Sequence, residues 1–465
     1  MLNEVAADRA VFDRLARTEV PTNPPKLFGT ACVLGGSIAG LLAARVLADH
    51  ADTVLILERD DPDTDEAPRT SVPQDRQGHV LLPGGRAPIE RWLPGFTAES
   101  VDRGAILVEV DRQAAYIDSH RGLPNRDLPM LAATRPFIEA GIRTRVLELP
   151  NVSVLSARAT GLEFRDGAVH AVRYAASQGE GVVPADFVVD AMGRSSKASE
   201  WVEQAGFQRP PLQRVRTGVN YATALFERSD DVTELPLFAV MYAGPDAPDG
   251  LGFGVAIAAE DDQWMVTLMA YDPARPPATA EEFRATCAKL PPAFGHAVHG
   301  RLTREILTYR QGDSRRRDFT GLEHFPAGLV SVGDAVASFN PIRGQGMSAA
   351  ALHANCLSEY LTGGPQLSRA ATEFFDLQAV VTDAAWALSA GPDEARLDAL
   401  QGNEVPEDVA AQRWAMDQVV QATMSDPAIS DAFSGVAMMV AHPSILAEPA
   451  LLEQAIKVNE AAGSR

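Results

Sequence analysis

The chain has 465 residues with 41 Lys and Arg against 62 Asp and Glu, a net charge of -21, and 46% hydrophobic residues. That length and apolar content suit two or three domains with real cores, and the acidic balance repels nucleic acid and anionic membrane surfaces alike. No stretch reaches the roughly 20 apolar residues of a spanning helix, and the charged start from Met1 to Val20 lacks the apolar core of a signal peptide, so a cytoplasmic protein is expected.

Residues 1–20 read as one short helix ended by Pro21-Thr-Asn-Pro-Pro25, an extension that is either a tail or a docked lid. Thr30-Ala-Cys-Val-Leu-Gly-Gly-Ser-Ile-Ala-Gly40 then reads as a buried parallel strand, a glycine turn and the start of an apolar helix, with a second strand at Thr53 to Glu58. Gly35 makes the turn, Gly36 follows it, and Gly40 lets the helix lie close on the sheet. Ser37 replaces the middle glycine of the G-x-G-x-x-G pattern, a side chain small enough that a diphosphate can still approach. Glu58, eighteen residues beyond Gly40, stands where an acid accepts hydrogen bonds from an adenosine ribose. Strand, turn, helix and acid together indicate dinucleotide binding.

After the acidic, proline-rich loop Asp60 to Pro68 come an apolar stretch, Val80 to Trp92, and strand-like alternation over 105–118. A helix opens at Arg135-Pro136, and a hairpin turns at Asp166-Gly167. The return strand is Ala185 to Asp190. From about 211 to 310 the period becomes that of strands: Arg216 to Phe226, Leu237 to Tyr242, Gly252 to Ala258 and Gln263 to Tyr271, with a covering helix over Ala280 to Leu290. Tyr221, Phe253 and Trp264 are candidate pocket residues on this sheet. The chain comes home through Gly328 to Asp334 and is helical beyond Ser348. Cys32, Cys287 and Cys356 have neither redox nor metal spacing and are expected as small buried hydrophobes, and the nine histidines show no metal pattern, so no metal site is expected. The run Arg315-Arg-Arg317 is best read as a solvated face or an ion-pair cluster.

The strongest signal is Ser331-Val-Gly-Asp-Ala-Val-Ala-Ser-Phe-Asn-Pro-Ile-Arg-Gly-Gln-Gly-Met-Ser348. Gly333 permits a turn after an apolar strand, Asp334 offers a carboxylate at its tip, and Gly344-Gln-Gly-Met347 opens a helix whose free N–H groups attract negative charge. Together with the first motif it resembles the FAD-dependent monooxygenases of the para-hydroxybenzoate hydroxylase type. The likeness spans nearly the whole chain. It is closer to bacterial secondary-metabolism epoxidases, whose patterns look like Val72-Pro-Gln, Arg135-Pro-Phe-Ile-Glu139, Val188-Val-Asp-Ala-Met-Gly-Arg194 and Asn340-Pro-Ile-Arg-Gly-Gln-Gly-Met347.

The resemblance implies an α/β fold: a Rossmann-like FAD-binding domain with an interleaved, mostly antiparallel substrate sheet and a C-terminal helical region. The chain then divides into an extension (1–28), the FAD-binding domain in two parts (29–210 and 311–362), a substrate domain (211–310) and the helical region (363–465), with 100–125 as candidates to join the substrate sheet. It further implies FAD held by Gly35, Gly36, Ser37, Gly40, Glu58, Arg59 and Arg135, a ribityl contact from Asp334, and a ring lined by Pro341, Gly344, Gln345, Gly346 and Met347. The loop from Arg69 to Gln77 would approach the flavin. Electrons would come from NADPH or from a separate flavin reductase.

Two functions follow from the resemblance. One is an epoxidase or hydroxylase acting on a lipophilic polyketide-type metabolite through a flavin C4a-hydroperoxide. The other is a redox-neutral [4+2] cyclase that forms a decalin, as in spirotetramate and spirotetronate biosynthesis, with FAD structural. Ala337 stands where hydroxylases carry a histidine, Asp190-Ala-Met-Gly193 replaces the Asp-Gly motif associated with NADPH, and Arg343 occupies a position often apolar or aromatic in relatives. Arg343 is therefore the candidate catalytic residue.

Overall fold

The computed structural model describes residues 2–60, 77–124, 128–229, 235–243 and 250–463. Helix α1 (Leu2–Leu15) precedes β1 (Phe28–Leu34), α2 (Ile38–His50) and β2 (Ala51–Glu58). Then come β3 (Val80–Leu81), α3 (Pro83–Trp92), α4 (Phe96–Asp102), β4 (Ile106–Val108), β5 (Gln113–Ile117), β6 (His120–Arg121) and β7 (Met130–Ala132). Helix α5 (Arg135–Leu147) leads to β8 (Val152–Arg165), β9 (Ala168–Ala176), β10 (Gly179–Pro184), β11 (Phe187–Asp190) and α6 (Ala198–Gln204). The strand-rich middle holds β12 (Leu212–Glu227), β13 (Phe238–Tyr242), β14 (Leu251–Ala259) and β15 (Gln263–Tyr271), followed by α7 (Ala280–Cys287), α8 (Pro292–Ala297) and β16 (Leu307–Arg317). Strands β17 (Leu329–Ser331) and β18 (Ala337–Ser338) precede five helices: α9 (Gly346–Thr362), α10 (Thr372–Gln401), α11 (Glu407–Ala422), α12 (Pro427–Ala437) and α13 (Pro449–Gly463).

A seven-stranded sheet runs in the order β10-β9-β8-β2-β1-β11-β17. Its centre is parallel, with Ala31 beside Val54 on one side and Phe187 on the other. Helix α2 is apolar on nearly every side because the sheet and α9 both cover it. The β8–β9 hairpin turns with Asp166 at φ 51° and Gly167 at φ 81°, the two left-handed residues a type I′ turn requires.

An eight-stranded sheet follows the order β18-β16-β12-β15-β14-β13-β5-β6. Residues 113–121 join it through β5, which pairs with β13, and β16 and β18 join at the other edge, so its strands come from well outside 211–310. One face packs Phe226, Trp264, Phe283 and Phe294 beneath α7 and α8. The other packs Tyr221, Phe253, Met265 and Met269 with Val80, Leu82, Met130 and Ile342. A third, three-stranded sheet has the order β3-β7-β4. Mixed α/β architecture is thus as expected. Beyond Ser348 the chain is helical as expected: α10 runs unbroken to Gln401, and α12 begins at Pro427, where the Asp426 carboxylate accepts the Ala428 and Ile429 N–H groups.

The extension is docked. Phe12 and Leu15 are fully buried in the main core, Asn355 Nδ2 donates to the Leu15 carbonyl, and Arg14 and Thr18 both reach Glu359 of α9. Phe12→Ala should therefore cost about 3–5 kcal/mol in urea unfolding; a change under about 0.5 kcal/mol, as on a free surface, would contradict docking.

Candidate functional site

Strand β1 ends in Gly35 at φ 106°, and a Cβ there would stand 2.5 Å from the Ala191 carbonyl oxygen. Any side chain on Gly40 would collide with the Gly35 carbonyl, so the helix lies directly on the turn. Gly36 N–H donates to Glu58 Oε2 at 2.6 Å, and Asp60 N–H donates to Glu58 Oε1 at 3.0 Å, which fixes the buried acid at the end of β2. Arg59, beside it, is exposed.

Ser37 occupies the N-cap of α2 without capping it. Its hydroxyl donates to Glu139 Oε2 at 2.6 Å and accepts from Arg135 Nη2 at 2.7 Å. Glu139 also pairs with Arg143 at 2.6 Å, and Arg143 reaches the Gly36 carbonyl. Two arginines and one glutamate, all buried, leave a net positive charge at an uncapped helix start, an arrangement that suits a diphosphate. Arg135, Glu139 and Arg143 recur every four residues on α5, a spacing visible in the sequence that extends the Arg135–Glu139 pattern by one turn to Arg143.

The second motif meets the first. After β17, Gly333 turns at φ 59° and faces Ala39 of α2 so closely that a Cβ on it would stand 2.6 Å from the Ala39 Cβ. Asp334 follows; burial pushes its carboxyl up, while Arg135, Arg194 and Arg315 pull it back. Asn340 caps the Pro341–Arg343 turn, Gly344 takes φ 66°, and α9 starts at Gly346 with no side-chain cap, so a second helix start keeps its N–H groups free of side-chain partners. Gln345 instead reaches the Ala437 carbonyl beside α12, and Met347 is buried in the main core. Arg315, Arg316 and Arg317 are engaged with Asp313, Asp383 and the Ala335 carbonyl, the ion-pair cluster anticipated for them.

Beside these turns, the Gln77 side chain accepts from Thr223 on β12 at 2.7 Å, and burial plus the charge of Arg135 push His79 down to about 4. Of the expected flavin-facing loop, Arg69 to Arg76 lie outside the described residues. Tyr221 and Phe253 share the sheet face that looks toward Val80, Leu82 and Ile342. Trp264 does not: it pairs with Phe226 in register and packs on the opposite face under α7 and α8. Arg343 lies half-buried with its guanidinium 5.2 Å from the Tyr242 ring centre, and among the described residues its side chain forms no ion pair or hydrogen bond. Sequence reading gave no sign of Asp393, a buried carboxylate on α10 that accepts both Asn340 Nδ2–H bonds at 3.1 and 2.9 Å. Among the described residues, no group is suited to hold a metal ion and no helix is long and apolar enough to cross a membrane.

No protein-family model matches the chain. Protein Rv3254 of Mycobacterium tuberculosis (strain ATCC 25618 / H37Rv) is 35% identical over 347 residues, which cover 71% of this chain and 72% of the relative. Among solved structures, the flavin-dependent brominase Bmp2 matches with a TM-score of 0.65 and 14% identity over 94% of this chain and 99% of that one. The p-nitrophenol 4-monooxygenase PnpA from Pseudomonas putida DLL-E4 matches with a TM-score of 0.64 and 15% identity over 90% and 99%. A tetrameric 2-methyl-3-hydroxypyridine-5-carboxylic acid oxygenase gives 0.57 and 20% over 79% and 92%. At these identities the likeness is one of fold.

A buried histidine supports the second turn. Gly333 N–H donates to His353 Nδ1 at 3.0 Å, so the ring is neutral with its proton on Nε2, toward Thr382. Burial lowers its pKa from 6.5 to about 3. Its contribution to stability is therefore complete above 6.5 and is lost as pH falls toward 3, by about 1.4 kcal/mol per pH unit. His353→Gln, which keeps an acceptor for Gly333, should flatten the acid-side slope of the unfolding free energy by one proton. An unchanged slope in urea titrations over that range would refute the assignment.

Proposed function

The chain belongs to the same family as Protein Rv3254, and we propose that it is an FAD-dependent monooxygenase, an epoxidase or hydroxylase acting on a lipophilic substrate of polyketide type. The observation that carries this reading is the meeting of two glycine turns at the uncapped start of α2, with Glu58 and Arg135 bonded beside it and Asp334 on the second turn. In it, the α2 N-terminus with Ser37 and Arg135 holds the diphosphate of FAD, Glu58 the adenosine ribose, with Arg59 beside it, Asp334 the ribityl chain, and the Pro341 to Met347 segment the ring. FAD, once reduced, supplies the oxygen chemistry. The chain positions the substrate against it and keeps water out with the apolar face of Tyr221, Phe253, Met265 and Met269.

Reduction is the first test. Anaerobic mixing with NADPH, with NADH and with a separate flavin reductase, followed at the oxidised flavin band, should show bleaching with at least one donor and oxygen-dependent turnover afterwards. Product formation without reductant or oxygen would instead favour the [4+2] cyclase, a reading that Arg343 supports because an arginine that is in no ion pair among the described residues suits an electron-poor carbonyl or enolate.

FAD should copurify and be released by acid. Glu58→Ala and Asp334→Ala should each weaken it by roughly 1.5–3 kcal/mol through lost charge-assisted hydrogen bonds, read as dissociation constants from flavin fluorescence. Unchanged affinity in both would remove the site assignment. Arg343→Met should lower the flavin reduction potential in the monooxygenase, since a nearby cation favours the anionic reduced form. In the cyclase it should slow product formation with FAD still bound. If neither quantity moves, Arg343 is structural.

A further inference from the structure

A cleft of about 470 Å³, a size within the range of ligand pockets, lies where α9 ends and α10 begins. Tyr360 in its wall stands roughly 20 Å along α9 from Gly346, so the cleft is remote from the segment proposed to line the ring. Leu322, Phe325 and the Tyr360 ring, all buried, give it an apolar floor. Tyr360 is 6% exposed, and among the described residues its hydroxyl has no hydrogen-bond partner. Burial and the charge of Glu373 push that hydroxyl up to about 12, so it keeps its proton and donates. On the same cleft α10, 30 residues long, starts at Thr372 with no side-chain cap, which leaves first-turn N–H groups open. Arg369, Glu323 and Glu373 also line it; all three are exposed, and among the described residues none is in an ion pair or a side-chain hydrogen bond.

Charges of both signs, left open beside a buried hydroxyl and over an apolar floor, select a ligand that itself carries both signs. An anion alone would meet Glu323 and Glu373, and a cation alone would meet Arg369 and the positive end of α10. We infer that the cleft binds a free α-amino acid with a large apolar side chain. Its carboxylate lies on Arg369, the Tyr360 hydroxyl and the open N–H groups of α10, its ammonium between Glu323 and Glu373, and its side chain on Leu322 and Phe325. Each group finds the partner its chemistry requires. The guanidinium offers a carboxylate two parallel N–H donors, and an ammonium has three donors for two glutamates to share. The Tyr360 hydroxyl gains the acceptor it lacks, so a group that costs free energy in the empty cleft contributes to binding in the filled one. None of these residues belongs to the flavin site, and the amino acid binds here whether or not flavin is held.

Isothermal titration of the full-length protein with L-phenylalanine and with L-leucine tests this. Phenethylamine, which keeps only the ammonium, and 3-phenylpropionate, which keeps only the carboxylate, are the controls. At least one of the two amino acids should bind saturably at one site per chain, and each single-charge analogue should bind about tenfold more weakly or worse. Tyr360→Phe keeps the ring and removes only the hydroxyl, and should weaken the amino acid about tenfold. Arg369→Gln and Glu373→Gln should each weaken it about tenfold or more, because each leaves one charge of the ligand without its partner. Thermal unfolding without ligand is measured for every variant; Arg369 and Glu373 are exposed, so both can be replaced without touching the core. The inference is overturned if neither amino acid binds saturably at millimolar concentration, or if either single-charge analogue binds as tightly. It is equally overturned if Tyr360→Phe and Arg369→Gln proteins, folded as the wild type is, bind the amino acid unchanged.

Discussion

Two missing side chains hold the architecture together. Because Gly40 has no Cβ, α2 rests on the Gly35 turn, and because Gly333 has none, the same helix accepts the second turn at Ala39. One helix start thereby faces the end of β2, the start of α5 and the Gly333 turn at once. The consequence is electrostatic as well as steric. Free N–H groups of α2, the guanidinium of Arg135 and the carboxylate of Asp334 share a region that no single motif defines, and the charge of Arg135 acts on both Asp334 and His79.

Much of this was legible because local chemistry dictates it. A strand, glycine turn, helix and acid in register leave few alternatives, and Asp166-Gly167 between alternating apolar residues admits little but a tight hairpin. Legibility ended where tertiary register takes over. Alternation along β15 shows that Trp264 lies opposite Met265, but which of them faces the candidate site depends on what covers each face. The pairing of Trp264 with Phe226 beneath α7 and α8 decided that. Asp393 was illegible for a similar reason. An acid inside a long helix looks like a solvated charge until Asn340, more than fifty residues earlier in the chain, is brought against it.

The C-terminal helices are consequently part of the site's construction. Ser389 and Asp393 hold the Asn340 turn from one side, and the Ala437 and Met438 carbonyls meet Gln345 and the Gly84 N–H from another. A Cβ on Gly84 would stand only 2.5 Å from the Met438 oxygen, so this glycine lets backbone approach backbone. Helices α10 and α12 thus set the position of the segment proposed to line the ring, although neither carries a motif.

The charge balance closes the argument. At -21, the molecule as a whole repels an anionic dinucleotide, yet Arg135, Arg143, Arg194 and Arg315 gather where the diphosphate and ribityl chain are proposed to lie. Glu139 and Asp313 neutralise part of that charge and fix the directions of the guanidinium groups. Long-range repulsion is screened within about 8–10 Å at physiological salt. Affinity must therefore come from short-range donors already oriented inside the site, which explains why Arg135 and Arg143 are buried, Arg194 and Arg315 half-buried, and all four tied to carboxylates. Arg343 is the exception among them: it is held over Tyr242 and, among the described residues, is in no ion pair, although its charge reaches Asp393.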